Sequence, residues 1–202
     1  MSNVIETFTS GDWRVQILQD QDCESPREND NLGVMVTWSR DYFSPDSNKD
    51  WYDLENLEEW FAGQEDDERC VRLPLIPKYY DGGYHIASDQ DVLEGRHCGW
   101  IFTTPETVES TGAPLESLER QLRAEVEEYS QWANGECYGY VVERLVSSCS
   151  CGECKEWEDV DYASCFGFIG SIYPESIGED MLDVPDELRD EVFASGFVSG
   201  NV

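Results

Sequence analysis

The sequence predicts an α+β fold: a mostly antiparallel sheet with one long amphipathic helix packed on it and short additional helices. Three observations predict it. A single stretch, residues 114–134, carries strong helical periodicity, while several short runs alternate apolar with polar residues or concentrate aromatic and β-branched ones. These runs follow one another without the alternating strand–helix rhythm that a parallel sheet requires.

Taken in order, Trp13, Val15 and Ile17 alternate with Arg14 and Gln16, which reads as a half-buried strand. Val34, Val36 and Trp38 read as its partner. The loop between them is acidic and rich in turn formers. Residues 51–62 form a short helix with Leu54, Leu57 and Phe61 inward, and residues 63–68 are the loop that follows. Residues 71–77 are extended, with two prolines favouring an edge, and Asp81-Gly82-Gly83 turns the chain into a strand at 84–87. Residues 98–103 are another strand, and 105–110 a helical turn.

The main helix places Leu115, Leu118, Leu122, Val126 and Tyr129 on one stripe at steps of three and four. Pro114 suits its start, and Asn134-Gly135 supplies the left-handed residue that ends it. Residues 137–146 and 164–172 are two strands of a long hairpin with cysteines at its tip. The helix is expected to cover the sheet to which that hairpin belongs. Residues 185–193 are a short C-terminal helix. The organisation read from this is one domain over 1–172, with the cysteine-rich tip at 147–163, and an acidic C-terminal segment over 173–202.

Charge restricts function more than any motif does. The chain holds 44 acidic against 13 basic residues, a net charge of −31. Such a surface repels nucleic acid and anionic membranes and attracts basic proteins, so direct nucleic-acid or membrane binding is excluded as a reading. Hydrophobic residues still make up 40 %, enough for a core. The N-terminal residues lack a basic leader and an apolar run, which predicts a cytoplasmic protein with reduced cysteines.

Three stretches resemble a family of acidic phage-encoded proteins of uncharacterised function. They are Glu24-Ser-Pro-Arg-Glu-Asn-Asp-Asn-Leu-Gly33, the passage Arg123-Ala-Glu-Val-Glu-Glu-Tyr129 running into residues 135–142, and Ser164-Cys-Phe-Gly-Phe-Ile-Gly170. Members carry tryptophan where this chain has Asn29, and aspartate and tryptophan where it has Ala163 and Phe166. The resemblance implies a phage origin and a cytoplasmic product, and it transfers no catalytic residue.

Among chemistry-bearing groups, Cys149, Cys151 and Cys154 on a polar tip, with Cys165 separated from Cys154 by ten residues, are candidate ligands of one structural zinc; surface thiols are the alternative. Cys23, Cys70, Cys98 and Cys137 sit in or beside apolar segments and read as small buried hydrophobes. His97 and Cys98 are neighbours on a strand and face opposite ways, so they make no dyad by themselves. No phosphate loop, nucleophile elbow or paired-histidine metal helix occurs.

The longest acidic stretch, residues 41–68, holds eleven carboxylates interleaved with aromatics. Carboxylates at helical spacing, such as Asp46/Asp50 and Asp186/Asp190, stand about 6 Å apart, near the phosphate spacing of a nucleic-acid strand. The reading is therefore a non-enzymatic phage protein that mimics nucleic acid toward a basic host protein: a restriction, CRISPR, nuclease, replication or transcription factor. Its contact residues are Asp46, Asp50, Asp53, Glu58, Glu65, Asp66, Asp67 and Glu68, with Trp51 and Trp60 as apolar anchors. The alternatives are a zinc- or thiol-dependent enzyme centred on the hairpin, and a virion or assembly component.

Overall fold

The structure, a computed structural model, describes residues 3–38, 44–46, 54–78, 83–87, 89–148, 154–174, 177 and 183–198. Its strands are β1 (Asn3–Ser10), β2 (Trp13–Gln19), β3 (Gly33–Thr37), β4 (Arg72–Pro77), β5 (Tyr84–Ile86), β6 (Gly99–Thr103), β7 (Cys137–Ser147) and β8 (Lys155–Ile169). The helices are α1 (Leu54–Gly63), α2 (Asp89–Leu93), α3 (Pro105–Thr111), α4 (Leu118–Ala133) and α5 (Asp186–Phe193). Two antiparallel sheets result, ordered β1-β2-β7-β8 and β3-β6-β4-β5, and the fold is α+β. Among the described residues no helix is long and apolar enough to cross a membrane.

The chain divides into two compact units, residues 1–24 with 135–202, and residues 25–134. This replaces the division read from sequence. Of the described residues after 173, Ile177, Val184, Leu188, Val192 and Val198 are core residues of the first unit and not part of an appended segment. They pack on Val15, Ile17, Tyr140 and Val142, the inward positions of β2 and β7. In β2 the inward residues Val15 and Ile17 are fully buried, as the alternation requires. The hairpin β7–β8 forms in the register Tyr140↔Cys165 and Ser147↔Lys155.

In the second unit the sheet is covered on both faces. Leu122 and Val126 of α4 meet Met35, Leu73, Leu75, Tyr84 and Ile101 on one face. On the other, Leu57 and Phe61 of α1 meet Val34, Val36 and Phe102. Strand β3 is accordingly buried along its whole length, as a strand covered on both sides must be. Burying each of Leu118, Leu122 and Val126 stabilises the fold by about 1.5–3 kcal/mol.

Helix α4 keeps the limits its periodicity predicts. Residues Leu115–Ser117 form a 3-10 turn leading into it, and beyond the cap Asn134, Gly135 takes φ 72°, a left-handed value that glycine adopts without steric cost. Two expectations about neighbours fail. The helix packs against β4, β5 and β6 rather than the hairpin's sheet, whose apolar face the C-terminal residues already occupy. Strands β2 and β3 lie in different sheets, β2 between β1 and β7, and β3 beside β6. Hydrophobic alternation specifies which face of a strand is buried, not which strand lies next to it.

Candidate functional site

Residues 24–33 and 123–129 converge on one buried ion cluster in the second unit. Ser25 accepts a hydrogen bond from Arg27 N, and Pro26 opens the 3-10 turn Pro26–Glu28. This turn directs the Arg27 side chain inward, where only 8 % of the residue is exposed. Its Nε and Nη2 donate to the two oxygens of Asp46 at 3.1 and 2.7 Å, a bidentate fork. Nη1 donates to Glu125 at 2.9 Å, and Nη2 also reaches the Gly33 carbonyl at 2.6 Å. Burial lowers the guanidinium's pKa, but the bonds and charges of Asp46 and Glu125 outweigh it and raise the value above that of ordinary arginine.

The carboxylates are occupied from their other sides as well. Asp46 accepts from Met35 N at 2.6 Å, and Glu125 from Leu32 N at 2.9 Å and Gly33 N at 3.2 Å. Gly33 is required here by space, since a Cβ would overlap Leu122 Cδ2 and stand 2.9 Å from Ile101 Cγ1. The motif thus builds the junction of β3, α4 and the segment around Asp46. Beside it lies a polar depression of about 740 Å³ lined by Glu28, Asn29, Asp30, Thr107, Ser110 and Thr111 along with Arg27 and Asp46. Asp46 itself is 6 % exposed, so it is withdrawn from the surface set to which its sequence neighbourhood assigned it. It lies in a turn rather than a helix, and the expected helical pair with Asp50 is not supported from its side.

The remaining acidic residues divide in two. Asp50, Asp53 and Trp51 lie outside the described residues. Glu58, Glu65, Asp66 and Glu68 are exposed, and Asp67 is half-buried. These last form a ridge running from α1 into a tight loop. Gln64 N bonds to Phe61 O, Asp67 N to Gln64 O and Cys70 N to Asp67 O, at 3.1, 2.9 and 2.9 Å.

Asp67 is the anchor of that loop. It accepts from Arg69 N and Nε, both at 2.9 Å, and from Arg69 Nη2 at 2.6 Å. The bond to the Arg69 side chain, helped by that to its backbone, lowers the Asp67 pKa to about 2. Arg69 is also ion-paired to Glu109 of α3. Glu65, Asp66 and Glu68 line a shallow depression with Arg69 and the 44 % exposed Leu115, and Glu58 and Glu65 flank another with Arg72. Arg72 in turn lies over the rings of Phe61 and Trp100, at 4.7 and 5.2 Å.

Trp60 is half-buried, 5.5 Å from both Phe61 and Phe102, and braces the core beneath the ridge. Its role as an exposed anchor is corrected to a packing role. Exposed carboxylates also occur elsewhere, on α4, α5 and β8, including the helically spaced pair Asp186 and Asp190. Glu143 is an exception, buried in an ion pair with Arg14 across β2 and β7.

The zinc reading changes at one ligand. Cys149 and Cys151 lie outside the described residues, and Cys154 and Cys165 are both exposed. Cys165 faces Tyr140 in the ladder while the strand begins opposite Ser147, which puts it roughly 25 Å from the tip at the usual rise per residue. It cannot share a metal with Cys154. Among the described residues no group of three or more histidine, cysteine, aspartate or glutamate side chains is placed to hold a metal ion.

Sequence reasoning missed the ion cluster, although its parts were in view as the quoted stretches. A lone buried arginine leaves no periodic signal; the only hint was basic Arg27 inside an acidic, turn-rich loop. Comparison with protein-family models, with curated proteins and with solved structures finds no match to this chain.

Proposed function

We propose that this is a non-enzymatic, phage-encoded binding protein whose acidic surface engages a basic nucleic-acid-binding protein of the host in competition with nucleic acid. The partner class is a restriction, CRISPR, nuclease, replication or transcription factor. The observation that supports this reading best is the ridge of Glu58, Glu65, Asp66 and Glu68. Its loop is held by three backbone hydrogen bonds and by the Asp67–Arg69 pair, so the carboxylates stand on an ordered frame. Presenting charge in a fixed arrangement lowers the ordering cost of binding and favours a partner whose cations are spaced to match. The net charge of −31 supports the same reading, since it draws basic proteins from a distance.

The test is charge reversal of Glu58, Glu65, Asp66 and Glu68 to lysine, with capture from host lysate as the readout. The expected result is loss of the captured partner with an unchanged circular dichroism spectrum. Capture by the unmodified protein should also fall with added DNA and with raised salt, as an electrostatic competitor of nucleic acid requires. Undiminished capture by the reversed variant overturns the proposal.

A further inference from the structure

The chain leaves the first unit after Glu24 and returns to it at Gly135. Cys23 stands beside the first crossing and Cys137 beside the second. The two segments are already tied by backbone and side chain. Asp20 N donates to the Cys137 carbonyl at 2.8 Å, and Gln19 Nε2 donates to the Gly135 carbonyl at 3.1 Å. The Cys23 side chain is near enough to Cys137 to raise its thiol pKa, while the Cys23 thiol itself donates to the Glu24 carbonyl at 3.6 Å. Both are in the thiol form. Cys137 is fixed on β7, opposite Ile169, whereas Cys23 is half-buried on an irregular loop.

We propose that Cys23 and Cys137 are a redox-responsive pair that closes into a disulfide, tying the outgoing segment to the returning one and joining residues 23–137 in a covalent ring. The co-reactant is a low-molecular-weight disulfide of the glutathione class. The Cys23 thiolate attacks one sulfur of that disulfide, breaks its S–S bond and releases one small thiolate, leaving a mixed disulfide on Cys23. Deprotonated Cys137 then attacks the Cys23 sulfur and displaces the second small thiolate. Two protein thiols are oxidised to one cystine, one small disulfide is reduced to two thiols, and the two protons lost by the protein end on the two leaving groups.

The order of attack follows from access. Cys137 is 2 % exposed, and burial, followed by its bond to Cys23, pushes its thiol up to about 12. It is a poor first nucleophile, but it sits against Cys23 and is placed to resolve the mixed disulfide. Closing so long a loop restricts the unfolded chain, which is how a cross-link stabilises the folded one.

The experiment equilibrates the full chain in glutathione buffers of graded oxidised-to-reduced ratio, quenches it with acid and an alkylating agent, and maps non-reduced peptides by mass. The expected result is a cross-linked peptide pair containing Cys23 and Cys137, accompanied by a rise in melting temperature of about 5 °C. Both are lost in Cys23→Ser, a half-buried loop position, and in Cys137→Ala as a second variant. Recovery of Cys23 solely as a glutathione adduct, or of Cys137 linked to a different cysteine, overturns the proposal.

Discussion

Arg27 and Glu125 are 98 positions apart in the chain, and the Arg27 guanidinium donates to the Glu125 carboxylate at 2.9 Å. Together with the fork to Asp46, this contact makes one buried arginine the meeting point of three separate chain segments. Two carboxylates compensate one cation, and backbone N–H groups of Leu32, Gly33 and Met35 satisfy the surplus charge. Removing either acid leaves Arg27 with one countercharge and strands the donors that the lost carboxylate served, Met35 N for Asp46 and Leu32 N with Gly33 N for Glu125.

Glu125→Ala and Asp46→Ala are each expected to destabilise the second unit by about 1–3 kcal/mol in a denaturant titration, the usual cost of leaving buried hydrogen-bond groups without their partner. Glu65→Ala on the surface ridge should lie within about 0.5 kcal/mol of the parent. Equal and small effects at all three positions would show that the cluster contributes little to stability.

Gly33→Ala should cost about 1–3 kcal/mol, since its new methyl must displace Leu122 or Ile101 in a filled core. Leu122→Ala destabilises by a different route, the cavity it leaves. Combining the two should cost less than the sum, because the methyl enters the space Leu122 vacates. Strict additivity in equilibrium unfolding would contradict this packing.

Asp67 provides a pH signature. Its folded pKa of about 2 lies below the ordinary aspartate value of about 3.9, so its pairing with Arg69 contributes stability above that ordinary value. The contribution is lost as pH falls toward 2. A carboxyl-carbon NMR titration should find the Asp67 midpoint near 2 in the parent chain and clearly higher in Arg69→Gln, which keeps only the backbone donor. A midpoint that does not move would place the cause elsewhere.

Thiol reactivity should follow burial. Desolvation pushes Cys98 up to about 11, whereas Cys165 is exposed. With an aromatic disulfide reagent at pH 8, Cys165 is expected to be modified well before Cys98, as read by mass mapping of quenched time points. The reverse order would mean that Cys98 opens to solvent.

Any zinc carried by the purified protein should be indifferent to Cys165→Ser, because that residue sits far down β8 from the hairpin tip. Metal content per chain, measured by atomic emission before and after the substitution, checks this. A fall in content would require Cys165 to approach the tip, against the strand register.

By itself the sequence determined the local elements. The stripe of Leu118, Leu122 and Val126 marked α4, residues 137–146 marked the first arm of the hairpin and 164–172 only the end of the second, which begins at Lys155 within the stretch read as the tip, and Leu57 and Phe61 marked the inner face of α1. Periodicity is a property of neighbouring residues, so it can be read along the chain. Strand β1 escaped notice for the same reason: most of its residues are exposed on both faces, and Val4 and Ile5 remain 48 % and 42 % exposed, so no alternation develops.

Only the tertiary structure decided which elements are partners. It placed β2 and β3 in separate sheets, gave α4 to the second sheet, and drew residues 184–198 into the core of the first unit. It also separated carboxylates that look alike in sequence: Asp46 went into the fork of Arg27, while Glu65 and Glu68 stayed in water. The physical reason is that burial of a charge depends on a countercharge arriving from a distant segment, and composition near the acid holds no record of where that segment will fold.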